Sequence, residues 1–322
     1  MIYPTNEWDQ LKKVIVGVAD YAQIPTMDKS LRTINYADVA DVTSIKTGPY
    51  PDQVIHEANE DLETFCDFLR GENVEVLRPK REPTQYYNYC PRDSVFLHND
   101  LAVATPQPLR SRLGNWRSFR HHLENVVEMP CSYHDSLYDE DCIGNPDILA
   151  LTEVTPAFDA ANVIRANEDL LYLQSNSGNA AGADLLQNLI NSDANVHVVR
   201  DIYTYVHIDT TIAFLRDGLL MVNPTRVTDP KQQLPFPFNT WDVIEAPDPI
   251  DIGHYPGYNN ASEWCNMNLF SVSPNLVALE EHQHPTRKIL ETYGIDCAML
   301  PMRHQRTLSG GFHCVTLDLE RV

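Results

Sequence analysis

The sequence lacks a long apolar run and a secretory leader. No apolar segment approaches the roughly 18 residues that a transmembrane helix requires. The N-terminal residues also do not form a basic segment followed by an apolar one. We therefore expect a cytoplasmic protein that does not associate with a membrane.

Paired cysteines are also missing. The seven cysteines are odd in number, include no CxxC pair and lie at positions 66, 90, 131, 142, 265, 297 and 314. This pattern argues against a disulfide framework and against a structural zinc site, and it agrees with a reducing compartment.

Basic residues are scarce, because 24 Lys and Arg stand against 45 Asp and Glu, for a formal net charge of -21. Nucleic acid binding requires clustered Lys and Arg that displace counterions, so we do not expect a nucleic acid partner. The negative charge either favours a cationic substrate or only keeps the protein in solution. The hydrophobic fraction of 43% is ample for a core.

A repeated hairpin is the main feature that the sequence does contain. Four short apolar hairpins, each with a polar turn followed at once by Leu, cover residues 94–104, 162–173, 211–222 and 268–279. Asn, Asp and Gly at these turns favour tight hairpins.

Each hairpin is followed by further elements of a ββαβ unit. Apolar residues fall on one helical face at 113–123, 185–190 and 289–293. The third unit has a proline-broken stretch, 230–238, in place of a helix. A short strand closes the four units at residues 126–130, 196–199, 243–247 and 298–301.

A fifth unit is divided between the two ends of the chain. Residues 314–319 and 11–16 would form its hairpin, followed by a helix over 54–69 and a strand over 74–79. Pairing the ends would close five ββαβ units into a ring without free sheet edges. We predict one α/β domain over residues 1–322, a five-bladed propeller with pseudo-fivefold symmetry. The alternative is an ordinary α/β sheet with hairpins.

Three insertions interrupt this pattern, at about residues 20–51, 134–146 and 247–262. They are rich in Pro, Gly, Asp and Tyr and are too long for simple connections. We interpret them as loops, and loops of this kind often act as lids.

Every unit has a reactive side chain near the start of its first strand, and a ring would bring these side chains to one pocket. They are Asp93, Asp159, His207 with Asp209, Ser262 and Cys314. Taken singly, each has an ordinary interpretation, since Asp is common in turns and a free Cys is usually part of the core.

The chemistry of these side chains indicates the class of substrate. Carboxylates near a thiol raise its pKa and reduce its reactivity, unless a cation binds between them. A guanidinium group is planar and pairs with carboxylates through two hydrogen bonds. We therefore interpret Asp93 and Asp209 as a guanidinium-binding pair near Cys314.

Four segments resemble the signatures of the arginine amidinotransferases, a group that includes arginine:glycine and inosamine-phosphate amidinotransferases. They are Pro91-Arg92-Asp93, Phe158-Asp159-Ala160-Ala161, His207-Ile208-Asp209 and Gly310-Gly311-Phe312-His313-Cys314. The resemblance covers nearly the whole chain. It implies the pentein fold of the guanidino-modifying superfamily, a five-bladed α/β propeller.

By this resemblance, Cys314 is the nucleophile, His207 the general acid and base, and Asp159 the carboxylate that orients His207. The implied substrate-binding residues are Asp93, Asp209, the carboxylate-binding Arg226, and the pocket residues Tyr87 and Ser262.

Two departures from the family pattern leave the acceptor open. Ala261 stands where the family often has a second serine. Thr204-Tyr205-Val206 also differs from the Asn-Pro-Met of the glycine-using enzymes.

The implied reaction transfers the amidino group of L-arginine through a covalent Cys314 intermediate to an amine, with release of L-ornithine and ping-pong kinetics. With glycine as the amine, the product would be guanidinoacetate. No metal or organic cofactor is expected, since His121-His122 and His282-Gln283-His284 lack matched carboxylate spacing. The oligomeric state stays open, with a homodimer as one option.

Two alternatives remain. An arginine deiminase-type hydrolase would use water in place of the amine, and loops decide whether water is excluded. Phe312-His313 before Cys314 favours transfer by resemblance. A non-catalytic arginine-binding module is the other alternative, which an unreactive Cys314 would indicate.

Overall fold

A computed structural model describes residues 2–322 as a mixed α/β chain with short strands. The strands are β1 (Leu11–Val16), β2 (Gln23–Ile24), β3 (Gly48–Pro49), β4 (Glu75–Leu77), β5 (Val95–His98), β6 (Leu101–Ala104), β7 (Val126–Glu128), β8 (Val163–Ala166), β9 (Asp169–Leu173), β10 (Asn195–Val199), β11 (Ile212–Arg216), β12 (Leu219–Val222), β13 (Asp242–Glu245), β14 (Phe270–Ser273), β15 (Leu276–Glu280), β16 (Asp296–Leu300) and β17 (Thr316–Arg321). The α-helices are α1 (Lys29–Ile34), α2 (Asp52–Gly71), α3 (Ala180–Ile190), α4 (Pro230–Gln233), α5 (His284–Thr292) and α6 (Gln305–Leu308). Within residues 2–322, no helix combines the length and apolarity that crossing a membrane demands.

Three-stranded sheets match the five predicted units. Their strand orders are β17-β1-β4, β5-β6-β7, β8-β9-β10, β11-β12-β13 and β14-β15-β16, and β2 pairs only with β3. In each three-stranded sheet, the first two strands are antiparallel and the third runs parallel to the central strand. A parallel pair needs a crossover connection, which α2, α3 and α5 supply in three of the units.

The central strands are buried on both faces. Successive side chains of a strand point to opposite faces, so Leu170 and Leu171 of β9 enter two different apolar clusters. The same alternation recurs in β12, β15 and β1 at Leu220 and Met221, Val277 and Ala278, and Val14 and Ile15. Each apolar cluster therefore joins two neighbouring sheets.

The two ends of the chain pair as predicted. β17 is antiparallel to β1, with Val14 opposite Asp318 and Val16 opposite Thr316. Asp318 is fully buried and accepts hydrogen bonds from Arg92 at 2.9 Å, Arg165 at 2.7 Å and Arg321 at 2.7 Å. These arginines belong to three units, so one carboxylate ties the chain ends to two neighbouring sheets.

The predicted helix over residues 113–123 is wrong. This stretch instead forms short 3-10 turns at Asn115–Ser118 and Arg120–His122. Gly114 has a left-handed φ of 77°, which an α-helix cannot accommodate, and it separates these turns from the preceding one at Arg110–Arg112. Leu113 is consequently exposed, while Trp116 and Phe119 still reach the core.

The insertion at 20–51 is more ordered than a loop, because it contains β2, α1 and β3. Asp28 caps α1 by accepting the Leu31 N–H at 2.8 Å, and Leu31 and Ile34 are buried. The insertion at 134–146 holds two 3-10 turns, and within the described chain the one at 247–262 has no helix or strand.

A 3-10 turn precedes the first strand of four units and positions the predicted site residues. These turns are Pro91–Asp93, Ala160–Asn162, Ile208–Thr210 and Glu263–Met267. Consecutive turns contact each other, and Pro91–Asp93 also contacts β17. Side chains that are far apart in the sequence therefore meet on one side of the molecule.

Candidate active site

A cavity of about 420 Å³ lies among these turns and two of the insertions. Five of the eight predicted site residues line it, namely Cys314, His207, Asp209, Arg226 and Ser262. Residues 35–39 and 259–262 form other parts of its wall. The insertions at 20–51 and 247–262 therefore reach the cavity.

Cys314 is buried at the cavity wall and is held by its neighbours. Its backbone N–H donates to Asn268 Oδ1 at 2.9 Å, Asn268 Nδ2 donates to its Sγ at 3.2 Å, and Sγ lies 3.1 Å from Asp209 Oδ2. The preceding Gly311 allows this approach, because a Cβ there would lie 2.8 Å from Asn268 Cβ.

The surroundings of Cys314 keep its thiol protonated at rest. A hydrogen bond with the Cys90 thiol, burial, and the negative charge of Asp209 together raise the pKa of Cys314 well above its ordinary value. A hydrogen bond with His207 opposes this increase only in part. Because the thiolate is the nucleophilic form, the site needs a nearby positive charge before Cys314 can react at neutral pH.

His207 lies between two carboxylates. Its Nε2 is 3.0 Å from Asp159 Oδ2, and its Nδ1 is 3.6 Å from Asp93 Oδ1. Burial alone would lower the pKa of His207, but Asp93 and Asp159 outweigh it and raise the pKa well above the ordinary value. Gln107 fixes the pair by donating to Asp159 Oδ1 and to the Asp93 carbonyl, both at 3.0 Å.

Asp93 and Asp209 share an arrangement in which one oxygen is held and the other is not. Asp93 Oδ2 is 2.6 Å from Arg112 Nη1, and Asp209 Oδ2 accepts from His313 Nδ1 at 2.9 Å. Both Oδ1 atoms are buried and have no hydrogen-bond partner among residues 2–322, although Asp93 Oδ1 faces His207 Nδ1 at an ion-pair distance of 3.6 Å. Two carboxylate oxygens are therefore left to accept hydrogen bonds.

The two carboxyl groups differ in their pKa values. Burial raises the pKa of Asp93 despite the nearby His207 and Arg112. Burial would also raise the pKa of Asp209, but the hydrogen bond and charge of His313, with the charge of His207, hold it well below the ordinary value.

Arg226 lies at another part of the cavity wall. Its guanidinium carbon is 3.7 Å from the centre of the Tyr203 ring, and its Nη1 donates to Thr210 and Thr211 at 2.8–2.9 Å. No carboxylate forms an ion pair with Arg226 in the part of the chain that the structure describes. This cation can therefore receive an anionic group from a ligand.

Tyr87 does not line this cavity, unlike the pocket position expected from the sequence. Its buried hydroxyl accepts from Arg112 Nη2 at 3.4 Å, and it borders a much smaller space beside Asp159 and His207. Ser262 does reach the main cavity, directly after Ala261.

Known proteins resemble this chain along nearly its whole length, although no family model matches it. It is 36% identical over 337 residues to inosamine-phosphate amidinotransferase 1 of Streptomyces glaucescens, covering 98% of this chain and 95% of that protein. The chain belongs to the amidinotransferase family. A second member, the L-arginine:L-lysine amidinotransferase of Pseudomonas savastanoi pv. phaseolicola, is 30% identical over 98% of this chain and 93% of its own length.

Solved structures agree with this assignment. The amidinotransferase superposes on the inosamine-phosphate amidinotransferase STRB1 of Streptomyces griseus with a TM-score of 0.95 at 35% identity, covering 100% of this chain and 97% of that one. A dimethylarginine dimethylaminohydrolase of Pseudomonas aeruginosa gives a TM-score of 0.65 at 14% identity, over 96% of this chain and 100% of that one, and therefore shares the fold alone. As an amidinotransferase, the protein is a transferase.

Four polar residues at the site of this amidinotransferase were not identified from its sequence. They are Gln107, Arg112, Asn268 and His313. His313 had a local signal, since it adjoins Cys314. The other three contact residues that are remote in the sequence, so local patterns could not identify them.

The histidine pairs that were weighed as metal ligands lie outside the cavity. His122 Nε2 is 3.0 Å from the Arg78 carbonyl oxygen. His282 Nδ1 is 2.7 Å from Glu280 Oε1, and together with Glu281 these residues form a cluster at the end of β15.

Proposed function

We propose that this amidinotransferase removes the amidino group of L-arginine as a covalent Cys314 adduct, releases L-ornithine, and transfers the group to an amine. The observation that carries this proposal is the pair of buried, unpartnered oxygens, Asp93 Oδ1 and Asp209 Oδ1. Buried polar atoms nearly always have partners, so two unpartnered acceptors indicate a missing donor. A guanidinium group supplies several N–H donors in one plane together with a positive charge.

The cavity also contains a cation that suits the α-carboxylate of arginine. Arg226 is fixed against Tyr203 in the same cavity and has no carboxylate partner within residues 2–322. We assign it to the α-carboxylate of the donor, with Ser262 beside it as a hydroxyl donor. A cavity lined by both a carboxylate, Asp209, and an arginine without a carboxylate partner, Arg226, suits an amino acid with a guanidino side chain.

The first half of the reaction follows from the charges. The positive charge of the bound guanidinium offsets the negative charge of Asp209, which raises the pKa of Cys314, so the thiol releases its proton to solvent more easily. The thiolate forms a bond to the guanidino carbon, and the bond from that carbon to the ornithine nitrogen breaks. His207, whose raised pKa keeps it protonated, delivers a proton to the departing amine.

The second half reverses these steps with another amine. After ornithine leaves, the incoming amine attacks the amidino carbon while His207 accepts its proton. The bond to sulfur then breaks, which regenerates Cys314. Asp159 holds His207 Nε2 throughout, leaving Nδ1 for proton transfer.

We propose a small primary amine as the acceptor, with glycine, lysine and an inosamine phosphate as the compounds to compare. Three of the four positions that depart from the family pattern line the cavity, namely Tyr205, Val206 and Ala261, whereas Thr204 does not. Acceptor choice is therefore expected to depend on that wall.

The function is tested by incubating the protein with L-arginine that carries ¹⁵N in its guanidino group, with and without each acceptor. We expect ornithine together with one labelled guanidino product, and a single equivalent of ornithine per protein when no acceptor is present. Cys314→Ala should abolish the formation of ornithine and of the labelled guanidino product. Cys297→Ala alters a cysteine outside the cavity and should retain both activities. Citrulline with labelled ammonia would instead indicate the arginine deiminase-type hydrolase.

We further propose that the five sheets close into a single-domain, five-bladed pentein propeller. The support is that the apolar clusters join the sheets in cyclic order, with Ile15 of β1 and Ala102 of β6 sharing the last one. Limited proteolysis tests this, since a closed ring should resist cutting between its units and an open chain of sheets should not.

A further inference from the structure

His313 adjoins Cys314, but its side chain does not line the cavity. Its Nδ1 is 2.9 Å from Asp209 Oδ2, and its Nε2 is 3.5 Å from Glu7 Oε2. All three residues are buried, with relative exposures of 9% for His313, 3% for Asp209 and 4% for Glu7. The imidazole therefore lies between two buried carboxylates.

The Nδ1 atom of His313 is the donor to Asp209. Carboxylates only accept hydrogen bonds, so the proton of this contact lies on Nδ1. The Nε2 atom faces Glu7 Oε2 at 3.5 Å, which is longer than a hydrogen bond. One oxygen of Asp209 is therefore held by His313.

Glu7 is itself fixed and does not move with the ring. Arg165 donates to its Oε1 at 2.8 Å and to its Oε2 at 3.1 Å, and Arg92 Nη1 lies 3.3 Å from Oε2. Arg92 also donates through Nε to the His313 carbonyl at 2.9 Å. The ring of His313 therefore faces Glu7 of the N-terminal segment, and Arg92 of the first unit holds its backbone.

Tying one oxygen of Asp209 determines the direction of the other. With Oδ2 bound to His313 Nδ1, the carboxylate cannot rotate freely about its Cβ–Cγ bond, and Oδ1 stays without a partner. Arg112 Nη1 forms an ion pair with Asp93 Oδ2 at 2.6 Å. Each carboxylate of the guanidinium-binding pair thus has one oxygen beside a buried basic side chain.

We propose that His313 is a positioning residue for amidino transfer: placed beside Glu7, it donates from Nδ1 to Asp209, orients that carboxylate and keeps Oδ1 available to the guanidinium group. The inference rests on the proposed function, because it takes Asp209 as part of the guanidinium site. It assigns to His313 no contact with the substrate.

The test compares two alkylating reagents of nearly the same shape, cationic 2-chloroacetamidine and neutral 2-chloroacetamide. Each forms a bond from Cys314 sulfur to its methylene carbon, with loss of chloride and of the thiol proton. Only the amidine carries a positive charge, so it forms charge-assisted hydrogen bonds with the carboxylate oxygens that the neutral amide cannot form. The ratio of the two rate constants therefore reports on the guanidinium site separately from the reactivity of the thiol.

We expect the unaltered protein to react faster with the amidine. His313→Asn should lower the ratio by at least about tenfold, because hydrogen bonds to charged groups are strong and the shorter side chain loses the contact with Glu7 that keeps the donor to Asp209 in place. The side-chain amide of Asn can offer a donor toward Asp209, but Glu7 no longer holds it. The rate with chloroacetamide should change by less than about twofold, and the KM for arginine should rise by a factor similar to the loss in ratio.

His304→Asn is the matched control. His304 is also a buried histidine, 6% exposed, and its Nε2 is 2.7 Å from Glu57 Oε2, but it does not line the cavity. This variant should keep the original ratio of rates.

The outcomes separate the two proposals. An unchanged ratio in folded His313→Asn overturns the role of His313 and leaves the proposed function intact. Equal rates for both reagents in the unaltered protein overturn the guanidinium site, and the inference with it. If His313→Asn does not fold, a crystal structure of the unaltered protein modified by chloroacetamidine decides. The inference is supported if Asp209 Oδ1 contacts the amidine group while Oδ2 contacts His313. A His313 ring that is turned away from Asp209 overturns it.

Discussion

Asn268 contacts Cys314 at both the backbone and the side chain. Its Oδ1 accepts the Cys314 N–H at 2.9 Å, and its Nδ2 donates to Sγ at 3.2 Å. The Asn268 carbonyl also accepts the His313 N–H at 3.3 Å. One residue of the fourth unit therefore sets the direction of the thiol that begins the fifth.

Asn268→Ala is expected to lower kcat by about ten- to hundredfold. A hydrogen bond to a charged group contributes about 1.5–3 kcal/mol, and each 1.36 kcal/mol is about tenfold in rate. Ornithine release under saturating arginine measures this effect. Asn275→Ala, at an exposed turn of the same unit, is the control, and equal rates for both variants would show that the amide does not support the thiolate.

His207→Asn is expected to reduce kcat by about 10²- to 10⁴-fold, the range for general acid-base groups. The variant keeps a polar side chain beside Asp159 but cannot carry a proton to the departing amine. Ornithine formation with arginine in excess is the measurement. His197→Asn removes another histidine that faces a carboxylate, Asp169, outside the cavity, and should retain activity. Near-normal turnover by His207→Asn would exclude it as the acid and base.

The pH dependence of Cys314 alkylation should differ from that of an ordinary cysteine. Because the pKa of Cys314 lies well above its usual 9.0, thiolate is scarcer than normal at neutral pH. The rate with neutral iodoacetamide should therefore keep rising beyond pH 9 without a plateau. A plateau below that pH would contradict the raised pKa.

Asp209→Asn should move this profile toward lower pH, because the negative charge of Asp209 is one cause of the raised pKa of Cys314. The same variant should bind arginine more weakly, since it loses a charged acceptor for the guanidinium group. The two effects oppose each other, so they are measured separately, as the alkylation profile and as the KM for arginine. An unchanged KM would place the guanidinium site elsewhere.

Asp318→Asn is expected to lower the free energy of unfolding at pH 7 by about 3–5 kcal/mol, because it leaves buried arginines without their carboxylate. Arg92 and Arg165 charges hold the pKa of Asp318 well below its ordinary value, even though burial opposes them. A depressed folded pKa stabilises the protein above the unfolded value and loses that contribution as pH falls. Urea unfolding should therefore show a difference between the two proteins that shrinks below about pH 4.

Much of the fold could be predicted because its signals are local. Short apolar segments around turns with Asn, Asp or Gly indicated the hairpins, and the split fifth unit follows from the same pattern at the two chain ends. The failures also have local causes. A left-handed Gly114 lies at the start of the helix that the apolar spacing suggested, and only short 3-10 turns follow it. The Asp28 cap begins a helix in a segment that was expected to be a loop.

The sequence by itself determined which units occur and which reactive side chains precede their first strands, because both depend on neighbouring residues. Only the tertiary structure decided which oxygens of Asp93 and Asp209 are left unpartnered. Those contacts join Asp209 to His313 across 104 positions, and they link Asn268 to Cys314 across 46. Such separations leave no periodic or short-range pattern, so the packing of one unit against the next had to bring these residues together.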